Sequence, residues 1–249
     1  HAKLAIQAME AGKDVFVEKP MALTLEDAEK MKKVSEENGQ ILMVGHLLEY
    51  HPAVLKLREM IASGELGKIN YIYSNRLNFG KVRTEENALW SFAPHDVAVI
   101  LRLIGQSPVE VSVSGGSYLT NGIADTSMSN LIFPDESRAH IFVSWLHPFK
   151  EQRLVVVGDK KMAIFNDVAT FGEKLQLYPQ NVEFDGSMPL LKKEDAKFVE
   201  HANTEPLREE CNHFLECIQS RKQPLTNAQS GIDVLKVLHA CQQSIEQNG

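Results

Sequence analysis

Glu18-Lys19-Pro20 follows directly on a short apolar run, Val15–Val17. Ligands of open parallel sheets bind beyond the carboxyl ends of the strands, so an ammonium at position 19 stands where a ligand lies. Pro20 disfavours helical backbone at Lys19 and holds it extended. A fixed cation there can hydrogen-bond a ribose or substrate hydroxyl and lower the pKa of an alcohol about to lose a hydride. The same three residues also read as a surface Glu–Lys pair before a turn proline. Gly45-His46 ends the next apolar run, Ile41–Val44, with Tyr50 and His51 close behind. By the same geometry His46 falls beside Lys19, or else it simply caps the strand or the helix that follows. Ala93-Pro94-His95-Asp96 precedes the apolar helical run VAVILRLIG. Proline is favoured at the first helical position, which puts His95 at the second. The helix dipole there disfavours imidazolium and leaves a ring able to take a proton from a carbinol. On the bland reading His95 only satisfies the helix start. Asp96 suits a first helical turn on electrostatic grounds alone and is left out of the chemistry.

Between these motifs lies a polar stretch with Arg76, Asn78, Lys81, Arg83, Asn87 and Trp90. Its bidentate donors and one large aromatic can clamp phosphate or sugar hydroxyls. As a plain solvated loop its charge is balanced by Glu85 and Glu86. Trp145, His147 and Phe149 read as a hydrophobic wall or, more simply, as core.

The elements that must hold these residues follow from periodicity. Residues 2–11 form a helix closed by Gly12, and Thr24-Leu-Glu-Asp27 opens a second one that Gly39 stops near Asn38. With strands at 14–17 and 41–44, helix and strand alternate as in βαβ crossovers, which implies a parallel sheet. Two strands and two helices are too few for a free-standing doubly wound domain, so upstream elements are expected to complete it. A helix from Pro52 to Ser63 ends at Gly64. From Lys68 onward, alternating stretches recur at 68–78, 109–119, 126–133, 138–145, 153–157, 161–166 and 174–178. Consecutive strands without intervening helices imply a mostly antiparallel sheet. Residues 181–203 read as an excursion loop, and helices at about 205–221 and 229–246 end the chain. The fold class is therefore α/β plus α+β: the remainder of a Rossmann-type parallel sheet at 1–46, then a domain at 47–249 with a large open sheet.

Bulk properties narrow the function. The 249 residues are 43% hydrophobic and 24% charged, with a net charge of −7. That balance offers no basic footprint for nucleic acid. No apolar run reaches the roughly 18–20 residues needed to span a bilayer. Cys211, Cys217 and Cys241 are odd in number and lack Cys-x-x-Cys spacing, so neither a disulfide framework nor a metal site is expected. They read as reduced helix-packing residues in a cytoplasmic protein. The chain opens on His1 and enters a helix at once, as expected of a piece of a longer protein.

Four segments, in this order, resemble the Gfo/Idh/MocA oxidoreductases: AGKDVFVEKPMALT, the ILMVGH strand, HPAVLKLREMIASGELGKI and the helix opened by His95-Asp96. The resemblance covers essentially the whole chain. It implies a Rossmann domain holding NAD, with NADP not excluded, and a carboxy-terminal domain whose open sheet joins a homodimer or homotetramer. It makes Lys19 and His95 the catalytic pair and puts Glu18, Lys19, Pro20 and His46 on the cofactor side. Many members carry Asp where this chain has Ser91, so more of the base role is expected to fall on His95. No G-x-G-x-x-G turn occurs, so this polypeptide alone is expected to bind cofactor poorly and be inactive. The stretch SNRLNFGKVRTEENALWSFAPHD resembles enzymes that oxidise UDP-N-acetylglucosamine-type sugars at C3. That likeness makes Lys19, His46, Arg76, Arg83, Asn87, Trp90 and His95 the substrate contacts. A free aldose or cyclitol is the alternative substrate, and a catalytically inactive assembly or sugar-binding module is the alternative to an enzyme.

Overall fold

The computed structural model describes residues 1–80 and 82–248, so Lys81 lies outside the described residues. The chain begins with α1 (Ala2–Glu10), β1 (Val15–Glu18), α2 (Leu25–Asn38) and β2 (Leu42–Gly45). Local chemistry sets the bounds of α2. The Thr24 hydroxyl accepts from the Asp27 N–H, Glu26 and Asp27 face the positive end of the helix dipole, and Gly39 takes φ 63° to close it. β1 and β2 pair in parallel, with Glu18 opposite Gly45. Their carboxyl ends therefore place Glu18-Lys19 and His46 along one edge.

One turn of 3-10 helix (Leu47–Tyr50) leads into α3 (Pro52–Ala62), β3 (Ile69–Leu77) and α4 (Ala88–Ile104). Then come β4 (Glu110–Gly116), β5 (Thr126–Ile132), β6 (Arg138–Ser144), β7 (Glu151–Gly158), β8 (Met162–Asn166) and β9 (Leu175–Tyr178). A short strand, β12 (Lys197–Phe198), completes an eight-stranded sheet of order β12-β9-β8-β7-β3-β6-β5-β4. β3 and β6 run parallel, and the other pairs are antiparallel. Period-two alternation assigns the faces. Ile72, Ser74 and Arg76 of β3 and Ala139, Ile141 and Val143 of β6 are buried under the helices. Tyr71, Tyr73 and Phe142 point the other way, still partly open to solvent.

Residues 181–203 are not the plain loop expected from the sequence. They hold a hairpin, β10 (Asn181–Asp185) and β11 (Met188–Lys192), before β12. The link is Gly186-Ser187, a two-residue connection whose glycine takes φ 62°, a hairpin signal that the polar composition hid.

Two helices finish the chain, α5 (Pro206–Ser220) and α6 (Ala228–Asn248). α6 joins the two halves. Ile232 and Leu235 pack in one core with Met9, Met31 and Val44, while Val237, Leu238 and Cys241 pack in the core of the large sheet. Just before α6, the Thr226 carbonyl accepts from the Val44 N–H at 2.8 Å. Cys217 and Cys241 are buried as expected of packing residues, whereas Cys211 is exposed; all three are free thiols. Among the described residues no helix is long and apolar enough to cross a membrane.

Candidate active site

α4 begins earlier than Pro94 suggests. Asn87 is its N-cap, with the side-chain oxygen accepting from the Trp90 N–H at 3.1 Å, and Pro94 lies inside the helix. His95 is therefore more than two turns in, beyond the reach of the helix dipole, which falls off within the first turn. Pro94 has no N–H to offer the Trp90 carbonyl. One residue on, the Ser91 carbonyl accepts a hydrogen bond from Lys19 Nζ at 3.0 Å. Ser91 stands one helical turn before His95, so the Lys19 ammonium meets α4 on the turn that leads to the imidazole.

Electrostatics tie the same groups together. Burial holds His95 well below the usual histidine range, and the positive charges of Arg76 and Lys19 and the neighbouring His46 push the same way. The ring is neutral because it is desolvated and surrounded by cations, not because it begins a helix. Its Nδ1 is buried without a hydrogen-bond partner, yet the residue keeps part of its surface open. His46 is pushed down to about 4, first by burial, then by Lys19 and Arg102, and both of its ring nitrogens are buried and unpartnered. Lys19 is lowered from 10.5 by burial, against which Glu86 is the largest opposing influence, ahead of Glu18. Glu86 thus supplies a negative charge that Ser91 cannot.

The remaining sequence candidates are otherwise engaged. Arg76 is buried and grips Asp96, with Nε to Oδ2 at 2.7 Å and Nη2 to Oδ1 at 3.2 Å. Asp96 also accepts from the Ser74 hydroxyl at 2.5 Å. Asp96 does not sit in the first helical turn, as its electrostatic reading expected; it is the buried anchor of Arg76. Arg83 pairs with Glu86 at 3.0 Å. Asn87, besides capping α4, donates to Gln242 Oε1, which also accepts from the Trp90 indole. Gln242 lies far along the chain, where nothing in the sequence points to it. Trp145 is core, as its plain reading held, and Phe149 is exposed. A cleft of about 380 Å³ begins at Pro20, the residue after Lys19, and is lined also by Leu23, Glu85, Glu86, Asn87 and Trp90; Lys19, His46 and His95 are not in its lining.

Residues 1–46 match the family described as an oxidoreductase family with an NAD-binding Rossmann fold, and residues 54–164 match the GFO/IDH/MocA C-terminal domain. The chain belongs to the Gfo/Idh/MocA oxidoreductase family. It is 28% identical over 192 residues to a 2,7-anhydro-N-acetylneuraminate hydratase of Mediterraneibacter gnavus, covering 71% of this chain and 51% of that protein. It is 25% identical to a UDP-N-acetylglucosamine 3-dehydrogenase of Acidithiobacillus ferrooxidans, over 94% of this chain and 72% of the relative. The solved structure of that dehydrogenase matches with a TM-score of 0.85 at 23% identity, covering 100% of this chain and 76% of that one. A scyllo-inositol 2-dehydrogenase (NAD(+)) of Bacillus subtilis is 25% identical over 90% of this chain and 66% of its own length. The chain spans about half the length of the first curated relatives it matches. This Gfo/Idh/MocA chain has the expected fold class: a Rossmann-type piece followed by a domain with a large mixed sheet.

Proposed function

We propose that this chain carries the reaction centre of an NAD(P)-dependent oxidoreductase that moves a hydride between a sugar hydroxyl and nicotinamide. The observation that carries the reading is the Lys19 ammonium bound to the Ser91 carbonyl, one turn from His95, at the carboxyl edge of the parallel strands. The neutral imidazole of His95 takes the hydroxyl proton, and Lys19 stabilises the alkoxide as it develops. Nicotinamide, when bound, supplies the hydride acceptor. Glu18, Lys19, Pro20 and His46 are the residues of this chain that would hold it. The unpartnered nitrogens of His46 fit such a polar neighbour.

For the substrate, similarity to the Acidithiobacillus ferrooxidans dehydrogenase supports a UDP-N-acetylhexosamine oxidised at C3. One observation favours a second reading, a free aldose or cyclitol. Arg76, Arg83 and Asn87, the expected diphosphate contacts, are committed to Asp96, Glu86 and Gln242, and the cleft that begins at Pro20 is lined by two carboxylates. Like charges repel a diphosphate there. Calorimetric titration with UDP-N-acetylglucosamine, myo-inositol and glucose separates the two readings.

In the complete protein, Lys19→Met and His95→Ala are each expected to reduce turnover at least about 100-fold with the fold intact. Near-normal turnover in both variants sinks the assignment. Because a hydratase is among the relatives, nicotinamide reduction is followed alongside water addition.

A further inference from the structure

Arg76 does not stand alone with Asp96. The β3–β7 register sets Arg76 opposite Gln152, and the Asp167 N–H, just past β8, donates to the Gln152 carbonyl at 2.8 Å. In the carboxamide orientation that satisfies both neighbours, Gln152 accepts from Arg76 Nη1 at 3.2 Å and donates to Asp167 Oδ2 at 3.3 Å. The other oxygen of Asp167 accepts from Lys174 Nζ at 2.6 Å and lies 3.6 Å from His51 Nε2. His51 Nδ1 accepts from the Ala53 N–H at 3.1 Å, which puts the ring proton on Nε2, facing Asp167. A chain of polar contacts thus runs from Ser74 and Asp96 through Arg76 and Gln152 to Asp167, beneath α3 and α4.

We propose that Gln152 and Asp167 are positioning residues for the candidate base, holding the Arg76 guanidinium in register against His95 from the side that Asp96 does not reach. Asp96 occupies Nε and Nη2 of Arg76, and Gln152 takes Nη1. With all three nitrogens tied, the planar fork cannot swing away. Asp167 in turn fixes which way the Gln152 carboxamide faces, because its carboxylate accepts and never donates. The charge placed this way bears on two groups. Arg76 disfavours the protonated form of His95, whose other charged or titratable neighbours are Lys19 and His46. It also disfavours the ammonium of Lys19, whose other neighbours are Glu86, Arg83 and Glu18.

The inference rests on the reading of His95 as a base, but its test needs no turnover. Nuclear magnetic resonance of the complete protein, labelled at histidine and lysine, follows protonation of the His95 ring in the acid range and of Lys19 in the alkaline range. Arg76→Met is expected to move both midpoints upward. Gln152→Leu and Asp167→Leu are expected to move them the same way by about half a pH unit. Asp167→Asn keeps an oxygen for Gln152 and should stay near the unmodified protein. His140, which is lowered by burial alone, serves as the unmoved reference. Midpoints in Gln152→Leu and Asp167→Leu that superimpose on the unmodified protein, while Arg76→Met shifts, overturn the proposal. If Gln152→Leu does not fold, the Asp167 pair decides: equal midpoints for Asn and Leu overturn it. Loss of turnover in Lys19→Met and His95→Ala is a separate outcome, so failure of the functional reading and failure of this one are distinguishable.

Discussion

At His95 and Lys19 the residue types and their spacing could be read from the sequence, while the burial and charges that act on them could not. A lysine before proline at a strand end, and a histidine after proline near an apolar helix, marked themselves by type. What keeps them in their protonation states is burial and the charges of Arg76 and Glu86, set by side chains that only the folded chain brings near. The consequence is a pH profile. His95 protonates far below 6.5, so no acid limb should appear near that value. Lys19 carries a lowered pKa, so activity that needs its ammonium is lost as pH rises, with a midpoint below 10.5. Glu86 opposes that lowering, and Glu86→Gln should therefore shift the alkaline limb of kcat/KM to still lower pH. An alkaline limb unmoved in Glu86→Gln would show that the carboxylate does not act on Lys19.

At the scale of elements, local signals served best where they were redundant. Thr24, Asp27 and Gly39 all bound the same helix, and α2 lies between them. Pro94 misled because one signal was read alone. The cap that starts α4 is Asn87, seven residues upstream of Pro94, and the proline is tolerated inside because the helix is anchored by core residues on both sides of it. Tight element packing was invisible in the sequence. A Cβ on Gly231 would sit 2.9 Å from both Met21 Sδ and Val44 Cγ2, so α6 rests directly on the end of β2 next to His46. Gly231→Val should overpack this contact and destabilise the protein by about 1–3 kcal/mol. Chemical denaturation checks this; an unchanged midpoint would mean that Met21 yields freely and the close approach is unimportant.

For the whole molecule, strand existence was readable, but strand order was not. The parallel pairing of β3 with β6 and the antiparallel pairing of β3 with β7 bring residues 76, 138–144 and 151–158 together across long gaps in sequence. Nothing in period-two alternation says which strands become neighbours, which is why the Arg76–Gln152–Asp167 contacts had no sequence signal. The same topology leaves one face of the large sheet without covering helices. There Tyr73 stacks on His140 at 5.2 Å and 3°, flanked by Phe142 and Val155, with Tyr71 40% and Met128 45% exposed. Asn75, Asn130, Arg138 and Arg153 share this face by register, and an aromatic sheet face of this kind is expected to meet a second copy of the chain. Light scattering of the complete protein should give the mass of a dimer or tetramer. Tyr71→Lys with Met128→Lys should shift it toward the monomer, because two charges on each face cannot be buried unpaired. Both positions are exposed in the single chain, so monomer stability should change by no more than about 0.5 kcal/mol per substitution. A double variant that keeps the unmodified mass at every concentration tested would place the interface elsewhere, and a monomeric unmodified protein would remove the need for one.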